Sequence, residues 1–166
     1  MYVLGIDPGY DRLGYGILHI HYNKSLQRLD ELDVVDYGLI TSDRMDNFPA
    51  RLEQIARGVE DILLRYSIDV ACVERYFITS RRKHATEVAE ARGVILYVLS
   101  QNDIEIVEYT PNHVKMIVAD CGKARKKDVE QKVMMYLALD EKPKPDDVSD
   151  ALALALCYAF ELEGKR

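Results

Sequence analysis

Four acidic residues stand where acids are costly. Asp7 closes the apolar run 2–6, and Glu74 closes a second apolar run, IDVACVE at 68–74. Asp147 and Asp150 stand at i and i+3 where the stretch PDDVSDALALALCYAF begins, so on a helix they share one face. Singly, each has an ordinary explanation. Asp7-Pro8-Gly9 is a turn sequence, and Asp146 and Asp147 suit the positive end of a helix. Glu74 is harder to dismiss, because VACVERY otherwise reads as interior. Four carboxylates gathered at one rim repel one another unless a cation sits among them. Oxygen ligands of this kind select a hard divalent cation. Two such ions, roughly 3.5–4 Å apart, clamp the attacking and leaving oxygens of an in-line phosphoryl displacement. Gly9, Gly14 and Gly16, which follow Asp7, predict room for the turn and for a phosphate approaching closely.

The elements that must carry these acids follow from the hydrophobic period. Strands are predicted at 2–7, 15–22 and 32–40, the last two separated by a polar turn near Asn23-Lys24-Ser25. Three closely spaced strands read as an antiparallel meander. The period then becomes helical. Residues 47–67 carry apolar side chains at Leu52, Ile55, Ala56, Val59, Ile62 and Leu63, with Asn47 placed to cap and Pro49 in the first turn. A buried strand at 68–74, a helix at 83–101, a strand at 104–109 and helices at 111–120, 126–138 and 146–161 complete the pattern. The fold class is therefore α/β: a mixed five-stranded sheet, a three-strand antiparallel meander followed by parallel strands, with helices on both faces. At 166 residues the chain is expected to form a single domain, 1–166.

Composition narrows the partners. The formal charge of −6 argues, taken alone, against nucleic acid, but RRKH at 81–84 and KARKK at 123–127 concentrate positive charge locally. Three widely spaced cysteines without a CxxC motif suggest neither a disulfide framework nor a zinc site, and point to a reducing cytoplasm. No stretch reaches the roughly 18 apolar residues of a membrane helix, and no secretory leader is visible, so no membrane partner is expected.

A longer series of motifs is more specific. GIDPG at 5–9, GYG at 14–16, VE at 73–74 followed by Phe77, ARGV at 91–94, EYTP at 108–111, VK at 114–115 and PDDVSDALALAL at 145–156 together resemble the RuvC family of Holliday-junction resolvases, from about Tyr2 to Tyr158. The resemblance implies a ribonuclease-H-like fold, a homodimer, and cleavage of opposed strands of a four-way DNA junction with magnesium or manganese. Its four metal-binding acids fall on Asp7, Glu74, Asp147 and Asp150, with Asp146 the less favoured neighbour. Phe77 takes the position of the aromatic that contacts bases at the crossover. Lys115 and Lys126 match basic positions facing phosphates. Lys123 and Arg125 extend that patch, and Arg82 belongs to another. A branch-migration motor is a further partner. The chain departs from the family's pattern at Tyr10-Asp11, at Ser80-Arg81, at Glu90, and in a longer, acidic stretch from Tyr22 to Asp33.

Three other readings compete. An actin-like kinase shares a glycine-rich turn after an Asp, but needs two such domains to close on ATP. A junction-binding module without catalysis would not require all four acids. A ribonuclease-H-like nuclease acting on an RNA–DNA hybrid would use the same metal chemistry.

Overall fold

The computed structural model describes residues 1–23, 25–75 and 84–164. In chain order the elements are β1 Tyr2–Asp7, β2 Arg12–Asn23, β3 Arg28–Thr41, α1 Phe48–Arg65, β4 Val70–Glu74, α2 Ala85–Gln101, β5 Glu105–Tyr109, α3 Pro111–Ala119, α4 Lys126–Tyr136 and α5 Asp146–Leu162. The strands form one sheet in the order β3-β2-β1-β4-β5. β1, β2 and β3 are antiparallel, and β4 and β5 run parallel to β1. The mixed five-stranded sheet matches the expectation. β2 and β3 are longer than their apolar cores suggest, because polar residues continue the ladder out to Asn23 and Arg28. β3 is an edge strand, and its exposed acids and Arg28 discourage pairing with another chain.

Strand alternation sorts the core into two layers. Val3, Leu18, Val70 and Cys72 face α3, α4 and α5. Leu4, Ile6, Tyr15, Ile17, Ala71 and Val73 face α1 and α2. Helices thus cover both faces, as expected. The same parity carries Asp7 (with Val3 and Gly5) and Glu74 (with Val70 and Cys72) onto the α5 side. Local signals fix the helix starts: Asn47 Oδ1 accepts from the Ala50 amide at 3.1 Å, and Thr110 Oγ1 from the His113 amide at 3.2 Å.

α5 is buried along nearly its whole length, from Val148 to Phe160. Leu152, Leu154 and Leu156 each contribute roughly 2 kcal/mol of transfer free energy. The helix also lies unusually close to the sheet. A Cβ on Gly5 would collide with the carbonyl of Ala151, one on Gly14 with the carbonyl of Asp147, and one on Gly16 with the Leu152 side chain. This corrects the sequence reading of the glycines. Gly9 serves the turn, where a Cβ would meet the carbonyl of Arg12. Gly14 and Gly16 admit α5 rather than a phosphate. The reason is parity: on β2 they alternate with Leu13, Tyr15 and Ile17, which face the other layer.

Gly5→Ala should therefore cost roughly 1–3 kcal/mol of unfolding free energy, the usual range for overpacking. Gly93→Ala, on α2 with nothing within 4 Å of the added carbon, should gain roughly 0.5–1 kcal/mol. Urea unfolding of the two variants measures both; equal effects would contradict the close approach.

Candidate active site

Three structural facts bring the acids together. β1 and β4 are parallel neighbours with Ile6 opposite Val73, so Asp7 and Glu74 leave the sheet side by side. Both lie on the α5 side by parity. The glycine-permitted approach of α5 then sets its N-terminal two turns, with Asp147 and Asp150, above them. The result is a cleft of about 440 Å³ lined by Asp7, Glu74, Asp147 and Asp150, with Lys115 of α3 and Lys126 of α4 on its wall. Val114, Val129 and Leu154 supply apolar lining.

The carboxylates are strained electrostatically. Burial raises the Asp7 pKa well above the ordinary carboxylate range, and the charges of Glu74, Asp150 and Asp147 raise it further, as does a hydrogen bond shared with Glu74. Burial also raises the Asp150 pKa, against the opposing pull of Lys126, whose ammonium lies 2.6 Å from Asp150 Oδ2. Arg12 Nε approaches Asp147 Oδ2 to 2.8 Å. That is a charge contact out of line for a hydrogen bond, and Asp147 Oδ2 is buried without a hydrogen-bond partner among the described residues. A buried oxygen left unbonded, in a cluster whose burial and mutual repulsion raise the Asp7 pKa, fits a divalent cation: the donor set is all carboxylate.

The structure distinguishes the two adjacent aspartates. Asp146 turns toward Lys142, 2.7 Å away, and that hydrogen bond holds its carboxyl below the usual range. It does not line the cleft, whereas Asp147 does. Among the basic residues expected to meet DNA, Lys115 and Lys126 line the cleft. Lys123 is exposed outside it. Arg125 caps α4, with its guanidinium paired to Asp128 at 3.0 and 3.1 Å. Phe77 and Arg82 lie outside the described residues.

Sequence reasoning assigned no role to two further residues. Arg12 is one. It opens β2, just after the turn that follows Asp7, and only the fold brings it to Asp147. Arg92 is the other. Its Nε donates to the Glu74 backbone oxygen at 3.1 Å while its guanidinium pairs with Glu108. It therefore anchors the strand end that presents Glu74. The ARGV motif was the available signal. The departure at Tyr10-Asp11 is accommodated by the nearly buried Arg51, which donates to Ser42 Oγ (3.0 Å) and the Tyr10 carbonyl (3.2 Å) and pairs with Asp11.

Comparison with known proteins agrees in family and fold. The sequence model described as crossover junction endodeoxyribonuclease RuvC matches residues 3–158. A curated crossover junction endodeoxyribonuclease RuvC from Clostridioides difficile (strain 630) is 42% identical over 159 residues, covering 96% of this chain and 90% of the relative. The Thermus thermophilus RuvC structure superposes with a TM-score of 0.85 at 27% identity, covering 99% of this chain and 96% of that one. T. thermophilus RuvC in complex with a Holliday junction substrate gives 0.87 at 28% identity, with the same coverage. The ribonuclease-H-like fold expected from the motifs is thus shared across the chain.

The raised pKa of Asp7 has a signed consequence. Folding favours its protonated form, so the associated stability is full below the ordinary value of 3.8 and is lost as pH rises through the folded value. In chelator, the wild-type Tm should fall across that window. Asp7→Asn should flatten the fall and raise the Tm near neutral pH. Thermal unfolding from acid to neutral pH tests this; a variant less stable than wild type at neutral pH would contradict it.

Proposed function

The chain belongs to the RuvC family of crossover junction endodeoxyribonucleases, and from that premise we propose which residues carry its chemistry. The enzyme is a Holliday-junction-resolving endonuclease that hydrolyses DNA phosphodiester bonds. Asp7, Glu74, Asp147 and Asp150 hold Mg2+, or Mn2+ in its place, two ions to a site. The observation that carries this assignment is the meeting of four carboxylates from β1, β4 and α5 in one cleft. When bound, such cations polarise the scissile phosphate and supply a nucleophilic water at neutral pH.

The chain's own groups then have distinct tasks. Asp7, flanked by the other three, is the acid whose proton burial and repulsion favour, and it would release that proton to solvent on holding a cation. Lys126, paired with Asp150 in this structure, would offer its charge to the DNA backbone with that carboxylate engaged by the cation, and Lys115 neutralises phosphate on the same wall. Arg92 holds the Glu74 strand end. Lys123 and Arg125 meet the DNA arms beyond the cleft. Phe77, three residues past Glu74, stacks on a base at the crossover, and Arg82 binds phosphate nearby.

Paired, symmetric nicks require two sites related by a two-fold axis, so the working form is a homodimer. The family resemblance adds a branch-migration motor as partner; cysteine usage suits the cytoplasm as location, and the length suits one nuclease domain over residues 1–166.

The test is cleavage of a synthetic four-way junction with Mg2+, against linear duplex and RNA–DNA hybrid. Wild type should nick only the junction, in symmetric pairs. Asp7→Asn, Glu74→Gln, Asp147→Asn and Asp150→Asn should each lose cleavage by about 100-fold or more, the order of removing one strong electrostatic contribution, and should retain junction binding. Preferential cutting of the hybrid would overturn the substrate, and four variants that all fail to bind would overturn the metal assignment.

A further inference from the structure

Two histidines and an aspartate meet at the opposite end of the sheet. His19 and His21 alternate on β2 and so share a face, and His19 lies directly across from Asp33 on β3. His21 Nε2 is 2.8 Å and His19 Nδ1 3.8 Å from the same oxygen, Asp33 Oδ2. One donor atom from each residue falls within 4.8 Å of the others. The two rings stand 4.1 Å apart at 68°, and His19 is held from behind by Tyr2, stacked at 4.5 Å and 19°. All three groups retain solvent access.

We propose that His19, His21 and Asp33 form a second metal site, which takes a first-row transition cation of the zinc type. The donor chemistry separates it from the cleft. Two imidazoles and one carboxylate favour Zn2+, Co2+ or Ni2+, whereas the all-carboxylate cleft favours Mg2+. Ligands about 2.0–2.2 Å from a tetrahedral ion stand roughly 3.3–3.5 Å from each other, and the observed 2.8 and 3.8 Å bracket that spacing. Small torsional changes therefore open the cluster around an ion. A plain His–Asp hydrogen bond accounts for His21 but not for a second imidazole turned to the same carboxylate oxygen. Tyr2 and Asp7 end β1 at opposite termini, so about 17 Å of strand separates this cluster from the cleft, and the two sites share no ligand. The bound ion ties β2 to the edge strand β3 near their hairpin, and solvent is free to complete its coordination.

Co2+ titration in excess Mg2+, followed by visible absorption, tests the site. The wild-type protein should retain one equivalent of Co2+ with a d–d spectrum that Zn2+ bleaches. The His19→Ala/His21→Ala variant should lose the spectrum, Asp33→Asn should weaken binding about 10–100-fold, and Asp7→Asn should leave it intact. Zn2+ should raise the Tm of wild type and not of the double variant, whose Mg2+-dependent junction cleavage should be unchanged. No Co2+ retained against Mg2+, retention by the double variant, or loss in Asp7→Asn would overturn the proposal.

Discussion

The cleft depends on the absence of side chains between α5 and the sheet. Gly5, Gly14 and Gly16 let the helix backbone approach β1 and β2 closely, and the first two turns of that helix carry half of the acids. With side chains at those positions, Asp147 and Asp150 would be lifted away from Asp7, and the cluster would open. The apolar length of α5 supplies the adhesion, and its N-terminal end carries the carboxylates. The helix is divided along its length: buried leucines and alanines from Ala151 onward, and before them Asp150, whose pKa burial raises.

That cost is met locally by cations of the chain itself. Lys126 rests on Asp150 and Arg12 on Asp147, while Asp7 has no ion pair among the described residues, and burial first and its acidic neighbours second raise its pKa. A protein of net charge −6 can therefore present a cleft to a polyanion, because basic groups stand on its wall and, in the function proposed above, divalent cations would complete the neutralisation. Asp146 shows the contrast. One residue earlier on the same helix, it faces Lys142, whose hydrogen bond lowers its pKa, and it does not line the cleft.

Much of this was legible in the sequence because it rests on short periods. Short apolar runs placed Asp7 and Glu74 at strand ends, and i,i+3 spacing put Asp147 and Asp150 on one helix face; the structure brings all four into one cleft. The element order and the mixed sheet followed from the same patterns. What was not legible depends on distant residues meeting. Nothing in the sequence tells that Gly14 faces a helix carbonyl rather than a ligand, that Arg12 reaches Asp147, or that Arg92 holds the Glu74 carbonyl. The meeting of His19 and His21 with Asp33 likewise depends on the register of β2 against β3, which bulges shift twice. Arg125 was read as part of a DNA-facing patch, and side-chain pairing with Asp128 is a local choice that sequence pattern does not resolve.

The central claim is that the four carboxylates are a cation site rather than a structural cluster of acids. The most direct measurement is a crystal structure with Mn2+, located by its anomalous scattering. The account predicts ions about 2.0–2.3 Å from carboxylate oxygens of Asp7, Glu74, Asp147 and Asp150, with the Lys126 ammonium withdrawn from Asp150. A cleft without an anomalous peak, its lysine still on Asp150, would contradict it.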